Sequence, residues 1–347
     1  IEGESAAFMM MNRNKRDIVL NLKSEKGREA LIRLIKDADI LVENYRKDTM
    51  EKLGLGYETL KELNPGLIYC GISGFGRTGP YADRGGFDLI AQGMSGLMAI
   101  TGEGHGRPPV KVGAPVTDIT AGILGAMGCL AAYVRRLKTG KGQQVDTSLF
   151  EAGITHTYWQ SAIAFATNVS PGPMGSAHPL NAPYQAFQTS DGWINIGAAN
   201  QTNWLRLLKL VDAEHLAEDP RFRTNADRMA HLDELETELN KIFRTKPSAE
   251  WLGLLQQGGF PAGPVLSISD MHQDPQALAR EMIVETDHPV AGAVKTIGVP
   301  VKFSETPGGV RRPAPLLGQH TREILAETGY SISEIEQMLK DGAAVAA

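Results

Sequence analysis

The chain is 347 residues long, 42% hydrophobic and 22% charged, with a formal net charge of −5. These values describe a globular protein with a sizeable core and room for two domains. They exclude a general electrostatic attraction to nucleic acid or to an anionic membrane. Two cysteines, Cys70 and Cys129, and eight scattered histidines show no metal-ligand spacing. Reduced buried thiols and no metal site are therefore expected, and no run is expected to be long and apolar enough to span a membrane.

After a helix-like stretch at 6–11, residues 17–22 read as a short buried strand. Residues 27–37 read as a helix with Leu31, Leu34 and Ile35 inward, and residues 40–42 as a second strand. A helical segment at 50–63, interrupted by Gly54 and Gly56, leads to a third strand at 67–72. Apolar strands alternating with helices predict βαβ units and a parallel sheet covered on both faces. The segment GFGRTG at 74–79 has the spacing of a dinucleotide fingerprint. No helix pattern and no acidic ribose ligand follow it, so it is read as a glycine-lined ligand wall rather than a nicotinamide site.

Residues from Pro115 to Gly140 carry a long helix pattern, with Ile119, Ile123, Met127, Leu130 and Val134 on one face. Gly122, Gly125, Ala126 and Gly128 suggest a buried helix that neighbouring backbones approach closely. Pro115 and Thr117 are placed just outside its start, while Arg135, Arg136, Lys138 and Gly140 mark its end. Asp118 then falls at the helix mouth, where free N–H groups hold a carboxylate ionised. That position suits a nucleophile, but it is also the ordinary place for an N-cap, the commoner role from this stretch alone.

A strand at 142–149 and a helix at 151–166 add two further carboxylates, Asp146 and Glu151. Spacing does not choose among the three. A loop of turn formers at 172–179 precedes strands at 184–189 and 193–196, which flank the hairpin signal Ser190-Asp191-Gly192. Amphipathic helices follow at 204–211, 226–243 and 248–256, then strand-like segments at 282–286 and 299–303. A Pro/Gly/Arg-rich linker at 307–315 leads to helices from 321. The expected division is a large α/β domain at 1–184, a smaller α+β domain at 185–305, and a linker with C-terminal helices returning to the large domain at 306–347. There is no G-x-S-x-G elbow, H-E-x-x-H, C-x-x-C or P-loop.

The choice among carboxylates comes from a resemblance. NRNKR (12–16), VENY (42–45), LGLGY (53–57), GFGRTGP (74–80), GAPVTD (113–118), KTGKGQ (138–143), AHP (177–179), PYQAF (183–187) and PLLGQHT (315–321) lie in family order over essentially the whole chain. Together they resemble the class III CoA-transferases, also called the CaiB/BaiF family, and lean toward its dicarboxylate-using branch. The resemblance implies a Rossmann-like large domain with a parallel sheet plus a smaller α+β domain, in an interlocked homodimer. It implies transfer of CoA from an acyl-CoA, such as succinyl-CoA, to a carboxylic acid, with coenzyme A as substrate and no permanently bound cofactor.

By the same resemblance Asp118 is the catalytic nucleophile, forming first an aspartyl anhydride and then an aspartyl-CoA thioester. Leu20, Lys23, Asn44, Tyr45, Lys52 and Arg84 are implied as CoA contacts, with Lys52 standing where some relatives carry Arg. The loop at 174–179 corresponds to the family's lid. Family members begin with a strand and helix that help hold CoA, and this sequence is expected to lack them. The same fold includes α-methylacyl-CoA racemase, whose proton-transferring histidine and glutamate are replaced here by Phe87 and, near 197–200, Asn200. A non-catalytic acyl-CoA-binding protein is the third reading. A cytoplasmic location is expected, or a mitochondrial one for a eukaryotic source.

Overall fold

The computed structural model describes all residues from Ile1 to Ala347, which fall into two compact units. The first comprises residues 1–95, 114–156 and 271–347, and the second residues 96–113 and 157–270. These bounds differ from the expected cuts after 184 and 305. Residues 157–184 group with the second unit and 271–305 with the first. Local composition reports what kind of element a segment forms, but not the core on which it lands. The hairpin of Ile283–His288 and Gly292–Ile297, for instance, is tied to the chain's start by Arg13 Nη1, which donates to Thr296 Oγ1 at 3.4 Å.

In the first unit the strands Ile40–Glu43, Ile68–Ser73 and Gln144–Ser148 form a parallel sheet with the 68–73 strand in the middle. Leu41 pairs with Tyr69, and Cys70 with Val145. The middle strand is buried from Ile68 to Gly71. The outer strand is not covered on both faces as expected, because Val42 is 57% exposed while the adjacent Glu43 is buried. Of residues 17–22 only Val19–Leu20 is extended, and it pairs antiparallel with Ala344–Val345, outside the parallel sheet. There the helices Thr321–Glu327 and Ile332–Lys340 pack Leu325, Ile335 and Met338 against Ala30 of the helix Glu25–Asp37. Ser24 caps that helix, its Oγ accepting from Gly27 N at 3.0 Å.

The helix Val116–Thr139 turns toward the sheet a face that its large apolar residues did not indicate. Thr117, Ala121, Gly125, Cys129 and Ala132 are buried, whereas Ile123 is 62% and Leu130 65% exposed, along with Ile119, Met127 and Val134. The small residues explain the choice. A Cβ on Gly125 would stand 3.1 Å from Ile72 Cδ1, and one on Gly128 2.7 Å from Val145 Cγ1, so glycine lets the helix backbone sit this close to the strands. The helix ends at Gly140, whose φ of 71° and N–H to Arg136 O at 2.7 Å make a left-handed C-cap. By length and composition alone it could cross a membrane, which corrects the expectation that no run could. The core helix of a water-soluble protein meets the same description, and here the small-residue face is packed on a sheet.

The second unit is built on an antiparallel sheet of Tyr184–Gln188, Trp193–Gly197 and Ala262–Pro264. The hairpin turn closes where expected, Thr189 N donating to Gly192 O at 2.9 Å. Helices Gln201–Leu210, Leu232–Phe243 and Ser248–Gln257 bury Trp204, Leu207, Leu239, Phe243 and Trp251 against Phe187 and Ile194. The helix expected at 226–243 is split into Asn225–Ala230 and Leu232–Phe243, and that at 151–166 into Leu149–Thr155 and Tyr158–Thr167. In each case the apolar period runs on across a short break. The strand expected at 299–303 is absent. Pro300 has no N–H to offer a ladder, and the partner of Ile283–His288 is Gly292–Ile297, reached through Gly292 at a φ of 67°.

Candidate active site

Asp118 is the third residue of the 116–139 helix rather than its cap, and Thr117, expected outside the helix, lies within it. The cap position is Pro115, whose side chain caps nothing. Capping comes instead from another element. Asp88, in the first turn of the helix Asp88–Met94, accepts from Thr117 N at 3.0 Å and Thr117 Oγ1 at 2.8 Å through Oδ1. Its Oδ2 accepts from the buried Gln92 Nε2 at 2.8 Å. The Asp118 carboxylate accepts no hydrogen bond. Its pKa is pushed up from the usual carboxylate value, first by desolvation and second by the charge of Asp88. This reverses the expectation that helix N–H groups hold it ionised, because the Thr117 N–H is already engaged by Asp88.

Asp118 opens on a cavity of about 640 Å³. Its walls are the segment 42–47 leaving the 40–43 strand, Ile72 to Gly74 at the end of the 68–73 strand, the loop 82–87, Gly122 and Leu149. These are the carboxyl ends of parallel strands, where open α/β sheets bind ligands. The glycine-lined wall expected after the third strand is present. A Cβ on Gly74 would lie 2.7 Å from Gly86 Cα, so the two loops touch backbone to backbone there. A second cavity, of about 740 Å³, is lined by Leu20, Asn21, Leu22, Lys23, Tyr45, Thr49, Lys52 and Leu53. Tyr45 borders both. The structure thus brings Asn44, Tyr45 and Arg84 to the Asp118 cavity, and Leu20, Lys23 and Lys52 to the other. Arg84 does not join Lys23 and Lys52.

The wall that carries Tyr45 is held from beneath. The Glu43 side chain, 2% exposed, pairs with the Arg77 guanidinium and accepts from Tyr45 N at 2.8 Å and Tyr69 Oη at 3.4 Å. Arg77 N in turn donates to Asp146 Oδ2 at 3.1 Å, which pins the glycine-rich loop to the 144–148 strand. That contact accounts for Asp146, whose carboxyl is pushed up mainly by burial. Glu151 accepts from Ser148 Oγ at 2.6 Å, and Ser148 Oγ accepts from Glu151 N at 3.2 Å, a reciprocal helix cap. Neither carboxylate lines the cavity.

Asp88, Glu43 and Arg77 were not singled out from the sequence. Asp88 opens a helix directly after Gly85-Gly86-Phe87, and an acidic residue there reads locally as a complement to the helix dipole. Glu43 ends an apolar strand, a charge where a parallel strand runs into its ligand face, and that signal was available. Phe87 stands 77% exposed at the cavity wall, and Asn200 is spent as a cap, its Oδ1 accepting from Asn203 N at 2.8 Å. In the second unit the loop expected as a lid is anchored by Gly175 N to Gly102 O at 2.8 Å and His178 N to Tyr184 O at 3.0 Å. Cys70 and Cys129 are free and buried, and burial with the neighbouring Cys129 pushes the Cys70 thiol up to about 12. No group of three His, Cys, Asp or Glu side chains is arranged to hold a metal.

Known proteins are similar to this chain over most of their length. The model of the family described as CoA-transferase family III matches residues 1–321. An acyl-CoA transferase of Fusarium pseudograminearum is 43% identical over 337 residues, 96% of this chain and 74% of that protein. The succinyl-CoA:glutarate CoA-transferase of Mus musculus is 36% identical over 343 residues, 99% of this chain and 78% of that protein. A crystal structure of a CAIB/BAIF family protein from Brucella suis matches with a TM-score of 0.84 at 38% identity, covering 94% of this chain and 86% of that one. With the family model matching residues 1–321 and relatives above 30% identical covering nearly all of the sequence, the chain belongs to CoA-transferase family III.

Proposed function

We propose that this protein moves CoA from a short dicarboxylyl-CoA, with succinyl-CoA as the reference donor, to a carboxylic acid, and that Asp118 carries the acyl group and then the CoA. The observation that supports this most is the pair of carboxylates at one helix start. Asp88 does the capping, which leaves Asp118 without a hydrogen bond, partly desolvated and facing a cavity. A carboxylate so placed has no protein partner that its attack on a thioester must displace.

In the first step a carboxylate oxygen of Asp118 attacks the thioester carbonyl. The C–S bond breaks, leaving CoA thiolate beside an aspartyl–acyl anhydride. The thiolate then attacks the aspartyl carbonyl, releasing the first acid and forming an aspartyl-CoA thioester. The incoming carboxylate attacks that thioester and expels the thiolate, which finally takes the new acyl group and returns Asp118 as a carboxylate. Thioester free energy is conserved only while water is kept from both intermediates.

Two cavities that share Tyr45 suit a ligand with a polyanionic end and a thioester end. Lys23 and Lys52 serve the phosphates, with Leu20 beside them, while Asn44 and Tyr45 flank the pantetheine on its way to Asp118. The mouse relative is named for succinyl-CoA and glutarate, which supports a dicarboxylic donor. An isomerase would need proton carriers on both faces of its substrate, and no histidine lines the Asp118 cavity. The exposed stripe of Ile119, Ile123, Met127, Leu130 and Val134 further supports an interlocked homodimer, since an apolar face of that length needs cover.

Asp118→Ala is expected to lower CoA transfer by roughly 10³-fold or more while CoA binding by calorimetry is kept. Hydroxylamine trapping during turnover should label the Asp118 peptide, as read by mass spectrometry. Undiminished turnover of the variant would remove Asp118 from the mechanism.

A further inference from the structure

Four cationic side chains stand at or just beneath the cavity that holds Asp118, and only two of them are neutralised. Arg77 is paired with Glu43, and Lys47 Nζ lies 3.2 Å from Asp83 Oδ1. Arg46 and Arg84 line the cavity with no carboxylate partner. The Arg84 guanidinium lies over the Tyr81 ring at 4.0 Å from its centroid, which orients its plane without cancelling its charge. The Arg46 guanidinium reaches the same loop, since a Cβ on Gly85 would sit 3.8 Å from Arg46 Nη2. An arginine stays charged in any protein environment. With Glu43 already engaged by Arg77, the chamber carries two open positive charges against the single carboxylate of Asp118.

On the function proposed above, CoA does not account for that surplus. Its phosphates belong with Lys23 and Lys52 in the other cavity, and the thioester end that reaches Asp118 is uncharged. The group that remains to be recognised at this end is the acyl chain. A planar guanidinium matches a carboxylate in a bidentate way, and a second one beside it removes the need for water to solvate that carboxylate. We propose that Arg46 and Arg84 form the subsite for the distal carboxylate of a dicarboxylyl group, and so set the preference for dicarboxylic over monocarboxylic substrates. The reading deepens the transferase function and rests on it.

The test compares succinyl-CoA with butyryl-CoA, which keeps the chain length and replaces the distal carboxylate by a methyl group. kcat/KM for each donor, at a fixed saturating acid, is measured for the unsubstituted protein, Arg46→Met, Arg84→Met and the double variant, with calorimetric affinity for free CoA in parallel. Both side chains are exposed, and thermal midpoints check that the variants fold. The ratio of succinyl-CoA to butyryl-CoA is expected to fall at least tenfold in each single variant and further in the double. Arg46→Lys and Arg84→Lys, which keep charge but lose the fork, should fall between. An equal loss for both thioesters together with weaker CoA binding assigns the guanidiniums to CoA phosphates and overturns the proposal, as does an unchanged ratio. Should the unsubstituted protein turn over neither thioester, the transferase reading fails by itself. Calorimetric titration of succinate against butyrate then decides the subsite, and equal affinities overturn it.

Discussion

Two carboxylates meet at the first turn of the 116–139 helix, and their surroundings divide the work between them. Asp88 holds the Thr117 N–H and hydroxyl, while Asp118 is bare and is pushed toward its protonated form by desolvation and then by Asp88. A carboxyl whose folded-state pKa lies above its unfolded value favours the fold when protonated and opposes it when ionised. Asp118→Asn is therefore expected to raise the thermal midpoint at pH 7 while abolishing turnover. The gain should vanish as pH falls below the ordinary carboxylate value near 3.8, and calorimetric melts across pH follow it. For activity the sign is the opposite one, since the attacking form is the carboxylate. The acid limb of kcat/KM reports this ionisation in the free enzyme. Asp88→Asn, which keeps an acceptor for Thr117 but removes the charge, should move that limb to lower pH.

At the scale of elements, the cavity walls are placed by contacts that leave little slack. Glu43, Arg77 and Asp146 bind the end of one strand, the glycine-rich loop and the next strand into one unit below Tyr45. Glu43→Gln leaves the largely buried Arg77 guanidinium without its counter-charge, and a loss of about 3 kcal/mol is expected from urea unfolding. Gly74→Ala puts a Cβ against the backbone of Gly86, so loop must part from loop. A loss of about 1–3 kcal/mol is expected, with a raised KM for acyl-CoA in steady-state assays. The alternation of strands and helices was legible without coordinates because it rests on local apolar periods. The orientation of the 116–139 helix was not. Five large apolar residues on one face outweigh small ones in any periodicity, yet backbone proximity to the sheet is open only to the face of Thr117, Ala121, Gly125, Cys129 and Ala132. Asp118 was legible as a candidate through its helix start. Its release from capping was not, because Asp88 belongs to another element.

At the scale of the whole molecule, that outward stripe bears on assembly. If a second copy covers it, a charge at its centre should forbid the association. Leu130→Glu is expected to convert the dimer to a monomer in sedimentation velocity, with far-ultraviolet circular dichroism unchanged, and an unaltered sedimentation coefficient would count against the dimer proposed here. Neither compact unit is a single continuous run of chain. The sequence by itself determined the family, the alternating α/β pattern, the hairpin at Ser190–Gly192 and the small set of carboxylates able to do the chemistry, because motifs, turns and periods are written in neighbouring residues. Only the tertiary structure decided which face of the long helix is covered, which segments share a core, and which carboxylate is spent on a cap and which is left facing a cavity. Those outcomes depend on groups far apart in the chain, and no local pattern records who their neighbours are.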